Sequence, residues 1–151
     1  MENSPFTISE IQISYNPLLP VSKKPRISSS VDAQQVFRQV FDENLLNIKE
    51  EAAVLYLNRG NRVVGAYKVS SGGITGTIVD TRLILGIALK ALACNIMLAH
   101  THPSGELKPS RADLELTAKL KEAAKFMDIT LLDHLIISLE GYYSFADEGI
   151  L

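Results

Sequence analysis

The most constraining feature of this chain is a junction between two hydrophobic patterns. The apolar run NIMLAH, residues 95–100, reads as a buried strand. From residue 110 onward the segment SRADLELTAKLKEAAKFM places Leu116, Leu120, Ala123 and Met127 at i, i+4, i+7 and i+11, the inner stripe of an amphipathic helix. Pro103 and Gly105 turn the chain between them. A strand that feeds a helix through a short turn is a building unit of an α/β fold.

The same alternation runs through the rest of the chain. SVDAQQVFRQVF predicts a helix capped by Ser30 or Asp32, with Val36, Phe37 and Val40 on its inner side. EAAVLYLN reads as a buried strand and NRVVGAYKVS as its hairpin partner, joined by the turn NRGN. SSGGITG is a glycine-rich connection that lacks the spacing of a phosphate-binding loop. GTIVDTRLILGIALKALACN predicts a short strand, a cap at Asp80 or Thr81, and a helix with Leu83, Ile84, Ile87, Ala88 and Ala91 inward. ITLLDHLIIS supplies one or two strands, and EGYYSF a turn into a last one. The expected architecture is α/β: a three-layer domain with a mixed β-sheet flanked by helices, over residues 31–151. Residues 1–30 are a proline- and serine-rich extension, with a short alternating strand at TISEIQISY and a solvated linker at KKPR.

Composition narrows the function classes. A formal net charge of −2 argues against a broad electrostatic nucleic-acid surface. A single cysteine, Cys94, excludes an internal disulfide, and within ALACNIML it reads as a small buried hydrophobe. The first residues lack the basic start and apolar run of a signal peptide, and no apolar stretch is long enough to span a bilayer. A cytoplasmic protein without membrane association is the expectation.

The junction also carries chemistry. His100 and His102 are two of the three histidines, and in an extended chain residues two apart face the same side. Both imidazoles can therefore turn to one ion, for which Zn–N distances are ~2.0–2.1 Å. Ser110 and Asp113 follow with S-x-x-D spacing, which serves equally as a helix cap. Each half alone reads as a polar strand end or a capping box. Together they set two histidines within a turn of a helix start that bears a carboxylate. Three protein ligands and one open position are the composition of a catalytic zinc site.

HTHPSGELKPSRAD is H-x-H, seven residues, Ser, two residues, Asp. It resembles the motif of the JAMM (MPN+) metallopeptidases, and together with LLDHLIIS it is similar to the RadC-like JAB branch of that superfamily, over roughly residues 30–151. The resemblance implies the JAB/MPN architecture, which is cytidine-deaminase-like, and a metal-dependent cut of an amide bond in a peptide or an isopeptide-linked protein. It implies Zn²⁺ held by His100, His102 and Asp113. It implies Glu50 as the base, from the upstream E-x6-L-[DN] pattern, and Ser110 as a hydrogen-bond donor to the oxyanion. The neighbouring Glu51 points to the opposite face of an extended chain. His134 and Asp133, the DH pair, are candidates to orient a ligand, or form a hydrogen-bonded core pair. A deaminase would need H-x-E with P-C-x-x-C, which this chain lacks.

Full-length relatives of that branch often carry a helix-hairpin-helix module linked with DNA contact and DNA repair, and no such module is legible here. The alternative function is a non-catalytic DNA-associated or protein-scaffold module. The strand VVGAYKVS presents an edge for a peptide or for a second copy of the chain in a homodimer.

Overall fold

Residues 51–57 are buried without exception, so the strand they form must be covered on both faces. That strand belongs to a five-stranded sheet in a computed structural model that describes residues 7–12, 14–71 and 79–151. In chain order the elements are α1 (Ser30–Val40), β1 (Glu51–Leu57), β2 (Val63–Ser71), α2 (Thr81–Lys90), β3 (Asn95–Thr101), α3 (Arg111–Phe126), β4 (Thr130–Ile137) and β5 (Tyr142–Ser144). The sheet order is β2-β1-β3-β4-β5. Only β3 and β4 run parallel, joined by α3 as the crossover, and the other pairs are antiparallel. The mixed three-layer α/β architecture expected from the sequence is the one observed.

The two faces of the sheet have separate cores. On one, Ala53, Leu55, Leu57, Met97, Ala99, Leu135 and Ile137 pack with Ala33 and Phe37 of α1. On the other, Val54, Tyr56, Ile96 and Leu98 pack with Ile84 and Ala88 of α2 and with Leu120 and Ala124 of α3. His100 follows Ile96 and Leu98 at two-residue spacing, so it stands on the α2–α3 face. The N-terminus of α3 reaches the same face, and this arrangement lets a strand end and a helix start share a site.

Several sequence expectations shift in register. The cap of α1 is Ser29, whose side chain accepts from the Asp32 N–H. Leu83 is 40% exposed, because α2 turns Ile84 and Ala88 inward. In α3 the fully buried stripe is Thr117, Leu120 and Ala124, while Met127 lies beyond the last turn and is half-exposed. Cys94 is exposed, not buried: it falls in the bend between α2 and β3, where its backbone joins the ladder and its side chain turns outward. The described residues of TISEIQISY form no strand, and Ile8 and Ile11 are almost fully exposed. KKPR is not wholly solvated. Lys24 is buried, its Nζ donates to the Tyr15 hydroxyl, and Arg26 bridges Arg62 beside the β1–β2 turn. Most of SSGGITG and the short strand expected before Asp80 lie outside the described residues.

Candidate metal centre

The register of β3 and the cap of α3 build the site. His100 is the sixth residue of β3. His102 lies just past its end, where its N–H still donates to the Ile137 carbonyl and prolongs the pairing with β4. The chain then turns tightly: Gly105 donates from its N–H to the His102 carbonyl and takes φ +82°, a conformation that suits glycine. The Ser104 hydroxyl accepts from the Glu106 N–H, a structural role within the turn. This turn sets the Glu106 carbonyl 2.6 Å from His102 Nδ1. A carbonyl can only accept, so Nδ1 carries the proton, and neutral His102 offers a bare Nε2 to the site.

The start of α3 brings the third group. Ser110 is the N-cap: its Oγ accepts from the Asp113 N–H at 3.1 Å, and its own N–H donates to Asp113 Oδ2 at 2.8 Å. This is a complete capping box. The same Asp113 carboxylate faces His100 Nε2 at 3.2 Å and His102 Nε2 at 3.4 Å, and the two Nε2 atoms are 2.8 Å apart. The capping box therefore also holds the Asp113 carboxylate toward both imidazoles.

The electrostatics show how tightly the three groups are coupled. Burial pushes Asp113 toward its neutral form, but the hydrogen bonds that His100 and His102 give it when Nε2 is protonated override this and hold the carboxyl far below the usual range. When Nε2 is also protonated, its hydrogen bond to Asp113 raises the pKa of His102 against the opposing effect of burial, and the Glu106 carbonyl and the charges of Asp113 and Glu50 add to the rise. Candidate ligand atoms of His100, His102 and Asp113 all lie within 4.8 Å of one another. Ligands ~2.0–2.1 Å from a tetrahedral ion stand about 3.3 Å apart, close to the separations seen. Two imidazoles and a carboxylate with this spacing fit a divalent cation.

The remaining expected residues fall around this cluster. Glu50 is half-buried, near enough for its charge to act on His102. Glu51 is buried and turned elsewhere: Lys68 Nζ lies 2.6 Å from its Oε2, an electrostatic approach without hydrogen-bond geometry. His134 is fully buried, with Nε2 2.7 Å from His100 Nδ1. Asp133 does not pair with the His134 ring. Its Oδ1 accepts from the backbone N–H groups of His134 and Ala146, and Oδ2 from the Ser144 hydroxyl, tying β4 to the turn after β5. Thr117 was not legible as part of the site. Its only sequence signal is a polar residue on the inner stripe of α3, four places after Asp113. A cavity of about 690 Å³ lined by Leu114, Lys121, Phe126 and Leu151 shares only Thr117 with this group and contains none of the three candidate ligands.

Comparison with known proteins identifies the family. The RadC-like JAB domain family matches residues 27–150. A UPF0758 protein of Flavobacterium johnsoniae is 45% identical over 130 residues, covering 86% of this chain and 56% of that protein. A UPF0758 protein of Porphyromonas gingivalis is 40% identical over 134 residues, covering 88% of this chain and 59% of that protein. One of Syntrophotalea carbinolica is 39% identical over 119 residues, covering 78% of this chain and 52% of that protein. The chain thus spans little more than half the length of these relatives. No helix among the described residues is long and apolar enough to cross a membrane. With the mixed sheet, the H-x-H at the end of β3 and the Ser–Asp cap of α3 in place, the chain belongs to the RadC-like JAB domain family.

Proposed function

We propose that this domain is a zinc-dependent hydrolase of amide bonds, a peptidase or isopeptidase. The observation that carries the reading is the convergence of His100, His102 and Asp113, whose candidate ligand atoms lie within 4.8 Å of one another beside a half-buried acid. When bound there, zinc supplies a Lewis acid that lowers the pKa of water toward about 7 and polarises a carbonyl.

The chain's own residues do the rest. Glu50 takes a proton from the attacking water and delivers it to the leaving amine nitrogen, so that amide and water become acid and amine. Ser110 stabilises the oxyanion. Its Oγ accepts from the Asp113 N–H at 3.1 Å, which leaves the hydroxyl proton free to donate. His102 is held by the Glu106 carbonyl, so its ring does not rotate to follow the substrate. The exposed edge of β2, whose Val64 carbonyl accepts from the Tyr15 hydroxyl, offers a place for an extended peptide or a second copy of the chain.

The test measures zinc content and then cleavage of a broad peptide and isopeptide library by wild type and Glu50→Gln. The reading requires one zinc per chain in both proteins and cleavage by wild type alone. A zinc-free wild type would sink it, and so would a zinc-loaded wild type that cuts nothing in the library. The alternative, a non-catalytic DNA-associated module, requires a gel shift that weakens as salt rises.

A further inference from the structure

His134 is fully buried, lies outside the three-ligand group, and is hydrogen-bonded at both ring nitrogens. The direction of those bonds follows from an atom that can only accept. Thr117 Oγ1 donates its single proton to the Asp113 backbone carbonyl at 2.7 Å, one turn back along α3. The same Oγ1 lies 2.5 Å from His134 Nδ1. With its proton committed, the hydroxyl can only accept, so Nδ1 of His134 carries a hydrogen. A neutral ring carries one proton, which leaves Nε2 bare. His134 Nε2 stands 2.7 Å from His100 Nδ1 and must accept from it. A neutral imidazole has one proton, so His100 turns a lone pair on Nε2 toward His102 and Asp113.

We propose that His134 and Thr117 are positioning residues for the metal centre. A one-way chain of hydrogen bonds from His100 through His134 and Thr117 to the Asp113 carbonyl fixes the tautomer in which His100 ligates. The chain begins at the ligand on β3 and ends on the backbone of the ligand on α3, so it also ties strand and helix at the spacing the ion requires. Asp133, the sequence neighbour of His134, takes no part, since its oxygens face Ser144, Ala146 and the His134 N–H. Phe145 stacks on the His134 ring at 4.5 Å and holds its plane. His102 reaches the same tautomer through a separate acceptor, the Glu106 carbonyl.

The inference rests on the metal-site reading, and its tests separate the two. The first is nitrogen-15 NMR of the imidazoles in the full chain, zinc-free, at a pH where the rings are neutral. The relay requires His100 and His134 both protonated on Nδ1, and the Nε2-protonated form of either ring overturns it. The second is zinc affinity by competition with a chromophoric chelator, with folding checked by circular dichroism. His134→Phe and Thr117→Val are expected to bind zinc on the order of 10–100-fold more weakly. His134→Gln restores an acceptor toward His100 and a donor toward Thr117, and Thr117→Ser restores the hydroxyl, so both recover most of the loss. If His134→Phe does not fold, the Thr117 pair decides. Wild-type affinity in folded His134→Phe or Thr117→Val overturns the relay and leaves the hydrolase reading standing. Zinc binding by wild type without hydrolysis sinks the hydrolase reading and leaves the relay standing.

Discussion

Ala52 lies directly opposite His100 across the antiparallel β1–β3 ladder. Directly opposed residues share a face of the sheet, and residues two apart along a strand share it again. Glu50 therefore belongs to the face of His100 and His102. Glu51 belongs to the other face, with Thr101, whose hydroxyl accepts from the Glu51 N–H. Glu50→Gln is expected to lower turnover by 10²-fold or more while zinc content and melting temperature stay near wild type. Lys68→Met is expected to have the opposite profile. It strands the buried Glu51 carboxylate and costs roughly 1–3 kcal/mol of stability, less than for a fully buried pair because Lys68 is partly exposed. Zinc analysis, turnover and urea unfolding of the two variants check the assignment.

Ser110 and Asp113 form the helix cap, in the proposed function each also serves the site, and substitution separates the roles. Ser110→Ala removes the acceptor for the Asp113 N–H, with an expected loss of about 1 kcal/mol, and removes the proposed oxyanion donor, with an expected fall on the order of 10²–10³-fold in turnover. Asp113→Asn keeps an oxygen for the Ser110 N–H but removes the charge that faces both imidazoles. Its stability should stay near that of the zinc-free wild type while zinc is lost. Thermal melts with and without chelator, read beside zinc content, distinguish the two.

Gly105 has open space where a Cβ would stand, so Gly105→Ala tests backbone conformation and not crowding. At φ +82° a side chain is expected to cost roughly 1 kcal/mol or more. The turn relaxes by moving the Glu106 carbonyl away from His102 Nδ1. Weaker zinc binding with the fold intact is the expected outcome, measured by chelator competition.

Tyr56 gives a pH dependence away from the site. Burial, followed by the nearby Tyr67, raises its pKa well above the ordinary value, and its hydroxyl donates to the Ile84 carbonyl. The folded state keeps this proton where the unfolded state gives it up. Its contribution is intact below the unfolded pKa of about 10 and declines by about 1.4 kcal/mol per pH unit above it. Tyr56→Phe should flatten that decline in urea unfolding measured from neutral pH to about pH 11.

Helix α2 and the hairpin of β1 and β2 were legible because hydrophobic period and turn residues are local signals. The inward face of α2 was misjudged at Leu83 for the same reason: period shows that a stripe exists, and packing against Val54 and Tyr56 decides its phase. Cys94 looked buried from its apolar neighbours, and only the bend before β3 turned it outward.

The sequence by itself placed H-x-H at a strand end and S-x-x-D at a helix start, because these spacings lie within single elements, and the family resemblance made candidate ligands of His100, His102 and Asp113. It could also say that Glu50 and Glu51 face opposite ways. Which of them faces His102 depends on the pairing of β1 with β3, a contact between segments about 50 residues apart along the chain. The partner of His134 was decided in the same way. Its neighbour Asp133 is adjacent in sequence, yet the imidazole bonds to Thr117 across the packing of α3 on β4, because hydrogen bonds follow the direction of side chains in space.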